Sequence, residues 1–352
     1  LFEDLEGLRL DGVERLNLRY EKKVRLKLIK KVLDSQVKTV SLSRLDLNGL
    51  AEEFKNLEYL DLEGVERLDL TYTRNIPFKL IKRALKCHVK TVILRCLDLN
   101  DLAEELEDLD GLDLGDVECL DLSCAINVPL KLIKRALEYN VKTVILRRVD
   151  LNGLAEEFDD LDGLDLQGVE CLDLSFAKNI PLKLIKRALE CNVKTVILSD
   201  LDLEGLEAEL EDLDGLDLKG VECLDLNFAK NVSLKLIKRA LECKVKTVIL
   251  GGVDLKDLAE EFDDLECLDL KGVECLGLRH ARNIPLKLIK RALECKVMSI
   301  ELSGVDLKGL AKKFDNLDGL DLDGVERLDL SNAKNVPLKL IKRALECKVK
   351  TV

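Results

Sequence analysis

Apolar residues mark the chain at a fixed beat. Val13, Val65, Val117, Val169, Val221, Val273 and Val325 each precede a Glu and, after one further residue, a Leu, at a constant step of 52 residues. A second set, Val37, Val89, Val141, Val193, Val245, Val297 and Val349, follows the first by 24 residues and precedes the next by 28. Both open modules that are apolar at positions 1, 4 and 6. Apolar residues on either side of one residue suit a short strand with a single buried face.

In the 24-residue module a turn, and usually a proline, leads from the strand into KLIKRAL. Leu80, Ile81, Ala84 and Leu85 in one copy, and Leu184, Ile185, Ala188 and Leu189 in another, have helical spacing, which turns Lys79, Lys82 and Arg83 to water. Pro77, Pro129, Pro181, Pro285 and Pro337 fit the first helical turn, and Ser233 stands in for proline once. In the 28-residue module Leu102, Leu106 and Leu109 make a weaker stripe that predicts a short helix, with Phe54, Phe158, Phe262 and Phe314 as its core row. Stretches of L-x-x-L-x-L from Leu5, Leu57, Leu109, Leu161, Leu213, Leu265 and Leu317 read as loops returning to the sheet.

Hexads of V/L-x-x-L/V-x-L, each followed by a helix in two alternating module lengths, resemble the leucine-rich repeat family, most like its ribonuclease-inhibitor-type branch. The resemblance covers essentially all of residues 1–352, with thirteen complete hexads and a truncated fourteenth. It implies a single α/β solenoid array, a horseshoe with a parallel concave sheet and helices on the convex side, both ends truncated within repeats. The family's usual Asn or Cys past the strand is missing: Ala125, Ala177, Ala229 and Ala333, or Leu97, Val149, Leu201 and Val253, stand there. Asn75, Asn127, Asn179, Asn231, Asn283 and Asn335 recur two residues further on, in a cap or turn role.

Strand alternation sends positions 3, 5 and 7 to the concave face. Position 3 carries Arg67 or cysteines such as Cys119 and Cys171; position 5 carries Asp69, Asp121, Asp173, Asp225 and Asp329, alternating with isoleucines. This striped ribbon is either a docking surface for a basic protein or a merely solvated face. Position 8 of the short module holds Tyr20, Tyr72, Cys124, Phe176, Phe228, His280 and Asn332, a partly aromatic row that either anchors an interface or, the preferred reading, packs over the turn.

The twelve cysteines recur at repeat positions rather than at pairing distances, which favours reduced thiols and an intracellular, cytoplasmic setting, with any targeting segment out of view. Cys96 and Cys124 differ, since both occupy position 8 of consecutive modules and make a candidate redox pair beside the reading as two inert thiols. Composition narrows the chemistry further. The chain has 352 residues, a net charge of -12, two histidines and no Trp. It has no run apolar enough to cross a bilayer, and an acidic surface argues against nucleic-acid or membrane binding. No phosphate loop, nucleophile elbow or metal motif appears, so no cofactor and no catalysis are expected. Basic helices alternating with acidic segments should set opposite charges side by side on the convex face.

The leading expectation is a non-catalytic protein-interaction scaffold using the concave face. The alternative is a structural protein whose uncapped ends stack copies into a homo-oligomer, or an engineered scaffold, although irregular stretches such as SCAINV and LRHARN favour a natural array.

Overall fold

Each complete hexad folds into a strand of only three residues. The computed structural model describes residues 10, 12–19, 26–35, 37–49, 62, 64–87, 89–100, 113–158, 160–210, 213, 215–262, 264–314 and 317–352. The chain divides into two units, Leu1–Pro181 and Leu182–Val352. In the first, β1 (Arg15–Asn17), β2 (Thr39–Ser41), β3 (Arg67–Asp69), β4 (Thr91–Ile93), β5 (Cys119–Asp121), β6 (Thr143–Ile145) and β7 (Cys171–Asp173) pair in chain order, all parallel. In the second, β8 (Thr195–Ile197), β9 (Cys223–Asp225), β10 (Thr247–Ile249), β11 (Cys275–Gly277), β12 (Ser299–Glu301) and β13 (Arg327–Asp329) do the same. The truncated last hexad adds a bridge, Arg327↔Thr351.

Position 4 is the middle of every strand and is fully buried from β2 to β13. The strand ends because the chain turns at once. The N–H of position 9 donates to the carbonyl of position 6, as Thr73 does to Leu70 (3.0 Å) and Ala125 to Leu122 (2.9 Å). The turn is thus closed by backbone groups, so small or apolar residues suffice at position 9, although the Thr73 hydroxyl also donates to the Leu42 carbonyl at 2.9 Å.

Each short module carries one helix: α1 (Leu26–Leu33), α2 (Phe78–Lys86), α3 (Leu130–Glu138), α4 (Leu182–Glu190), α5 (Leu234–Glu242), α6 (Leu286–Glu294) and α7 (Leu338–Glu346). Eight or nine residues fall short of the roughly 12–15 that an isolated helix needs, so packing holds these segments helical. The expected Leu80, Ile81, Ala84 and Leu85 are buried, as are Leu184, Ile185, Ala188 and Leu189. A fully buried Leu or Ile contributes about 1.5–3 kcal/mol.

Three expectations need correction. The prolines sit at the N-cap rather than inside the first turn: the Pro77 carbonyl accepts from Leu80 N–H (2.8 Å), while its own φ of -65° and ψ of 116° are extended. Ser233 replaces proline with a real cap, accepting from Leu236 N–H. The helix arginines do not simply face water, because Arg239, Arg291 and Arg343 donate to the carbonyls of Leu216, Leu268 and Leu320. The long-module helix is one turn only, at Leu154–Glu157, Leu206–Glu209, Leu258–Glu261 and Leu310–Lys313. Phe158, Phe262 and Phe314 follow that turn in extended backbone. Phe262 is buried and the other two are half-buried. Phe54, Leu102, Leu106 and Leu109 lie outside the described residues. Leu161, Leu213, Leu265 and Leu317 are buried where the loop returns. Across modules, Lys235 meets Glu207 at 3.0 Å, one of the opposite-charge contacts expected on the helical side, and worth no more than about 1 kcal/mol at such exposure.

Candidate functional site

The aspartates of position 5 lie at the ends of the short-module strands. Each accepts the N–H of position 7 two residues later: Asp69 from Thr71, Asp121 from Ser123, Asp173 from Ser175, Asp225 from Asn227 and Asp329 from Ser331, at 2.8–3.0 Å. Where position 7 is Ser or Thr, its hydroxyl donates to the same oxygen. The carboxylate thus fixes the turn that ends the strand.

The row is not uniformly open. Asp121 is 2% exposed and is paired with Arg95 at 2.5 Å. Asp69, Asp173, Asp225 and Asp329 are half-buried. Asp69 also accepts from Ser41. Burial pushes Asp69 up, but hydrogen bonds from Thr71, Ser43 and Ser41 outweigh it and hold the carboxyl below its ordinary 3.8. Asp329 is held low by Ser331, with Arg327 and Arg279 adding their charges. Arg67 is exposed. In β11 the aspartate is replaced by Gly277, where a Cβ would meet Ile249 Cδ1 at 2.8 Å. Arg279 takes position 7 there and reaches Glu301 (2.9 Å) and Asp329 (3.1 Å). Ion pairs tie Arg95 to Asp121 and Arg279 to Glu301 and Asp329, while Asp173 and Asp225 bind their own turns.

Position 8 behaves differently. Its residue is left-handed in every described module, with φ of 55° at Tyr72, 56° at Cys96, 57° at Cys124 and Phe176, 55° at Phe228 and 56° at His280. Its N–H continues the ladder, as Tyr72 N–H does to Arg95 O (3.0 Å) and His280 N–H to Ser303 O (2.8 Å). Positive φ swings these side chains out of the strand's alternation, so within each unit they form a ridge along the strands' C-terminal ends. The preferred reading of packed rings fails here: Tyr72 is 49% and Phe228 48% exposed, and His280 is exposed. Phe176 is half-buried, as are Cys96 and Cys124. Tyr20 lies outside the described residues.

Each ring has a tailored neighbour in the next or preceding module. Arg44 stacks on Tyr72 at 4.7 Å, and Arg147 and Arg148 on Phe176 at 5.3 and 4.9 Å. In the second unit glycines make room: a Cβ at Gly252 would lie 2.3 Å from the Phe228 ring, and one at Gly304 2.2 Å from His280.

A second row, missed in the sequence, locks the ridge from below. Each long-module Asp at position 10 accepts from its neighbour's position-11 Asn: Asp46 from Asn75, Asp98 from Asn127, Asp150 from Asn179, Asp202 from Asn231, Asp254 from Asn283 and Asp306 from Asn335, at 2.7–2.9 Å. All six asparagines are left-handed, with φ of 50–53°. The turn role expected for them is therefore observed. The signal was a 29-residue Asp-to-Asn spacing in every period. Between ridge and row lie two clefts of one design. One of about 560 Å³ is lined by Tyr72, Asn75, Cys96 and Asp98, and one of about 610 Å³ by His280, Asn283, Gly304 and Asp306.

Parallel three-residue strands in chain order, one buried apolar stripe per hexad and a helix returning from each short module define the architecture. The fold is a leucine-rich repeat solenoid. It is similar to the crystal structure of an internalin from Listeria monocytogenes str. 4b F2365, with a TM-score of 0.54 over 95% of this chain and 85% of that one, at 11% identity. At that identity the likeness shows the fold alone. No protein-family model matches the chain, and no curated protein matches it. No helix among the described residues is long and apolar enough to cross a membrane. Among the same residues no three His, Cys, Asp or Glu side chains converge to hold a metal ion.

Proposed function

We propose that this chain is a non-catalytic protein-interaction scaffold, and that its partner docks on the sheet face with the ridge as anchor. Its leucine-rich repeat fold suits protein partners. The observation that carries the finer reading is the half exposure of Tyr72 and Phe228 on left-handed backbone held in register. Rigid aromatic side chains that are exposed in the free protein supply large contact area at small entropic cost, and such rings dominate interface hot spots. The aspartates are engaged with their own turns, so the rings rather than Asp173 or Asp225 anchor the partner, and a basic partner gains less support than the charge pattern suggests.

The 52-residue period runs through residues 181 and 182 without a break, which supports one array over 1–352. Alternating module lengths with a helix in each short module support placement nearest the ribonuclease-inhibitor-type branch, while the single turn of the long module departs from a helix in every module.

The test immobilises the full chain and measures retention from a lysate of the source organism. Wild type is compared with Tyr72→Ala/Phe228→Ala and with Asp173→Asn/Asp225→Asn. Proteins retained by wild type and by the Asn variant should fall about ten-fold or more on the Ala variant. Equal retention by all three, or loss confined to the Asn variant, overturns the reading.

A further inference from the structure

Two thiols from consecutive modules meet on the ridge. Cys96 stands three residues past β4 and Cys124 three past β5. The pairs Ile93↔Asp121 before them and Asp98↔Ile126 after them share one register, so the two cysteines stand directly opposite. Backbone bonds from Leu94 N–H to Asp121 O (2.8 Å) and from Cys96 N–H to Ser123 O (2.9 Å) fix that register. Neighbouring strands lie about 4.8 Å apart, inside the roughly 4.4–6.8 Å between Cα atoms that a disulfide spans.

Direction matters as much as distance. With φ of 56° and 57° in matched register, the two Cα–Cβ bonds point the same way. Cys124 and Tyr72 both act on the Cys96 thiol, so the three side chains are neighbours on the ridge. The cleft of about 560 Å³ that Cys96 lines admits a small oxidant.

The other cysteines lack this arrangement. Cys119 and Cys171 are separated by β6, and Cys223 and Cys275 by β10, which sets each pair about 10 Å apart. Burial pushes Cys171 up to about 11, so it stays a thiol at neutral pH. Cys191, Cys243, Cys295 and Cys347 recur only once per 52 residues.

We propose that Cys96 and Cys124 form a dithiol–disulfide site oxidised by hydrogen peroxide. One thiol attacks the peroxide, breaking its O–O bond and releasing water as it becomes a sulfenic acid. The second sulfur then displaces the sulfenic oxygen as a second water, forming the S–S bond. Two electrons pass from the cysteine pair to the peroxide. Burial raises the Cys96 thiol, with Cys124 adding to the effect, so the reaction is slower than that of an activated thiolate. Closure ties two modules together at the ridge, beside Tyr72.

The test treats the full-length reduced chain with hydrogen peroxide, alkylates remaining thiols in denaturant and maps peptides by mass spectrometry. Titratable thiols should fall from twelve to ten, with one cross-linked species joining Cys96 to Cys124, and dithiothreitol should restore all twelve. The Cys124→Ser variant should form no such cross-link under the same treatment, any oxidation of Cys96 stopping at the sulfenic acid. Wild-type mapping needs no variant to fold. Twelve persisting thiols, a linkage through other cysteines, or scattered irreversible oxidation would each overturn the proposal.

Discussion

The sheet face and the ridge at its edge are written by the same short modules, three residues apart, yet they leave different things for a partner. On the face, Asp121 is 2% exposed and spends its oxygens on Ser123 and Arg95. On the ridge, Phe228 is 48% exposed and its flanking module supplies Gly252, which keeps the space open for the ring. A charged residue in a repeat strand is therefore structural until its hydrogen bonds are counted. A large apolar residue held at positive φ in the next turn remains available to a partner.

Substitutions can break that contrast in order of effect. Removing the face's buried carboxylate with Asp121→Ala leaves the Ser123 N–H without its acceptor and Arg95 without its partner. Urea unfolding should show a loss of about 1–3 kcal/mol; a loss below about 0.5 kcal/mol would mean the face tolerates the change as ordinary surface. Next comes Gly252→Ala, which puts a side chain at φ +71° and 2.3 Å from the Phe228 ring. It should cost about 1–2 kcal/mol from backbone strain. The Gly252→Ala/Phe228→Ala double variant should recover any excess due to the ring, as a double-mutant cycle reads out.

Acid gives a smaller, graded effect. Asp69 and Asp329 titrate below their ordinary 3.8 in the folded chain, so their contribution is present above that value and is lost as pH falls through the lower folded one. Thermal unfolding should therefore be insensitive to these groups between pH 7 and about pH 5 and lose stability progressively below about pH 4. Asp69→Asn/Asp329→Asn should flatten that acid limb. Smallest is the ridge: Tyr72→Ala/Phe228→Ala should shift stability by no more than about 0.5 kcal/mol per site, as exposed positions do.

Much of the architecture was legible because it is periodic. Buried positions such as Leu68 and Val92, and the helix stripe Leu80, Ile81, Ala84 and Leu85, follow from spacing alone. The site was less legible for a physical reason. Strand alternation correctly sends Asp69 and Asp121 off the core, but it carries no information on local turns, so their bonds to Thr71 and Ser123 were invisible. Alternation also stops where φ changes sign. Tyr72, Phe176 and Phe228 read as packing residues because nothing in an aromatic residue announces left-handed backbone, which glycine and asparagine favour. The ring-accommodating Gly252 and Gly304 were the available clue, in step with Phe228 and His280 at an interval of 24 residues.

Hydroxyl-radical footprinting of the full chain, free and with a partner retained in the capture experiment, tests the ridge as docking surface most directly. Labelling of Tyr72, Phe176, Phe228 and His280 should drop together on binding, while Leu338 and other exposed helix-side residues keep their reactivity. Unchanged labelling of the four ridge residues, with protection on the helical side instead, would contradict it.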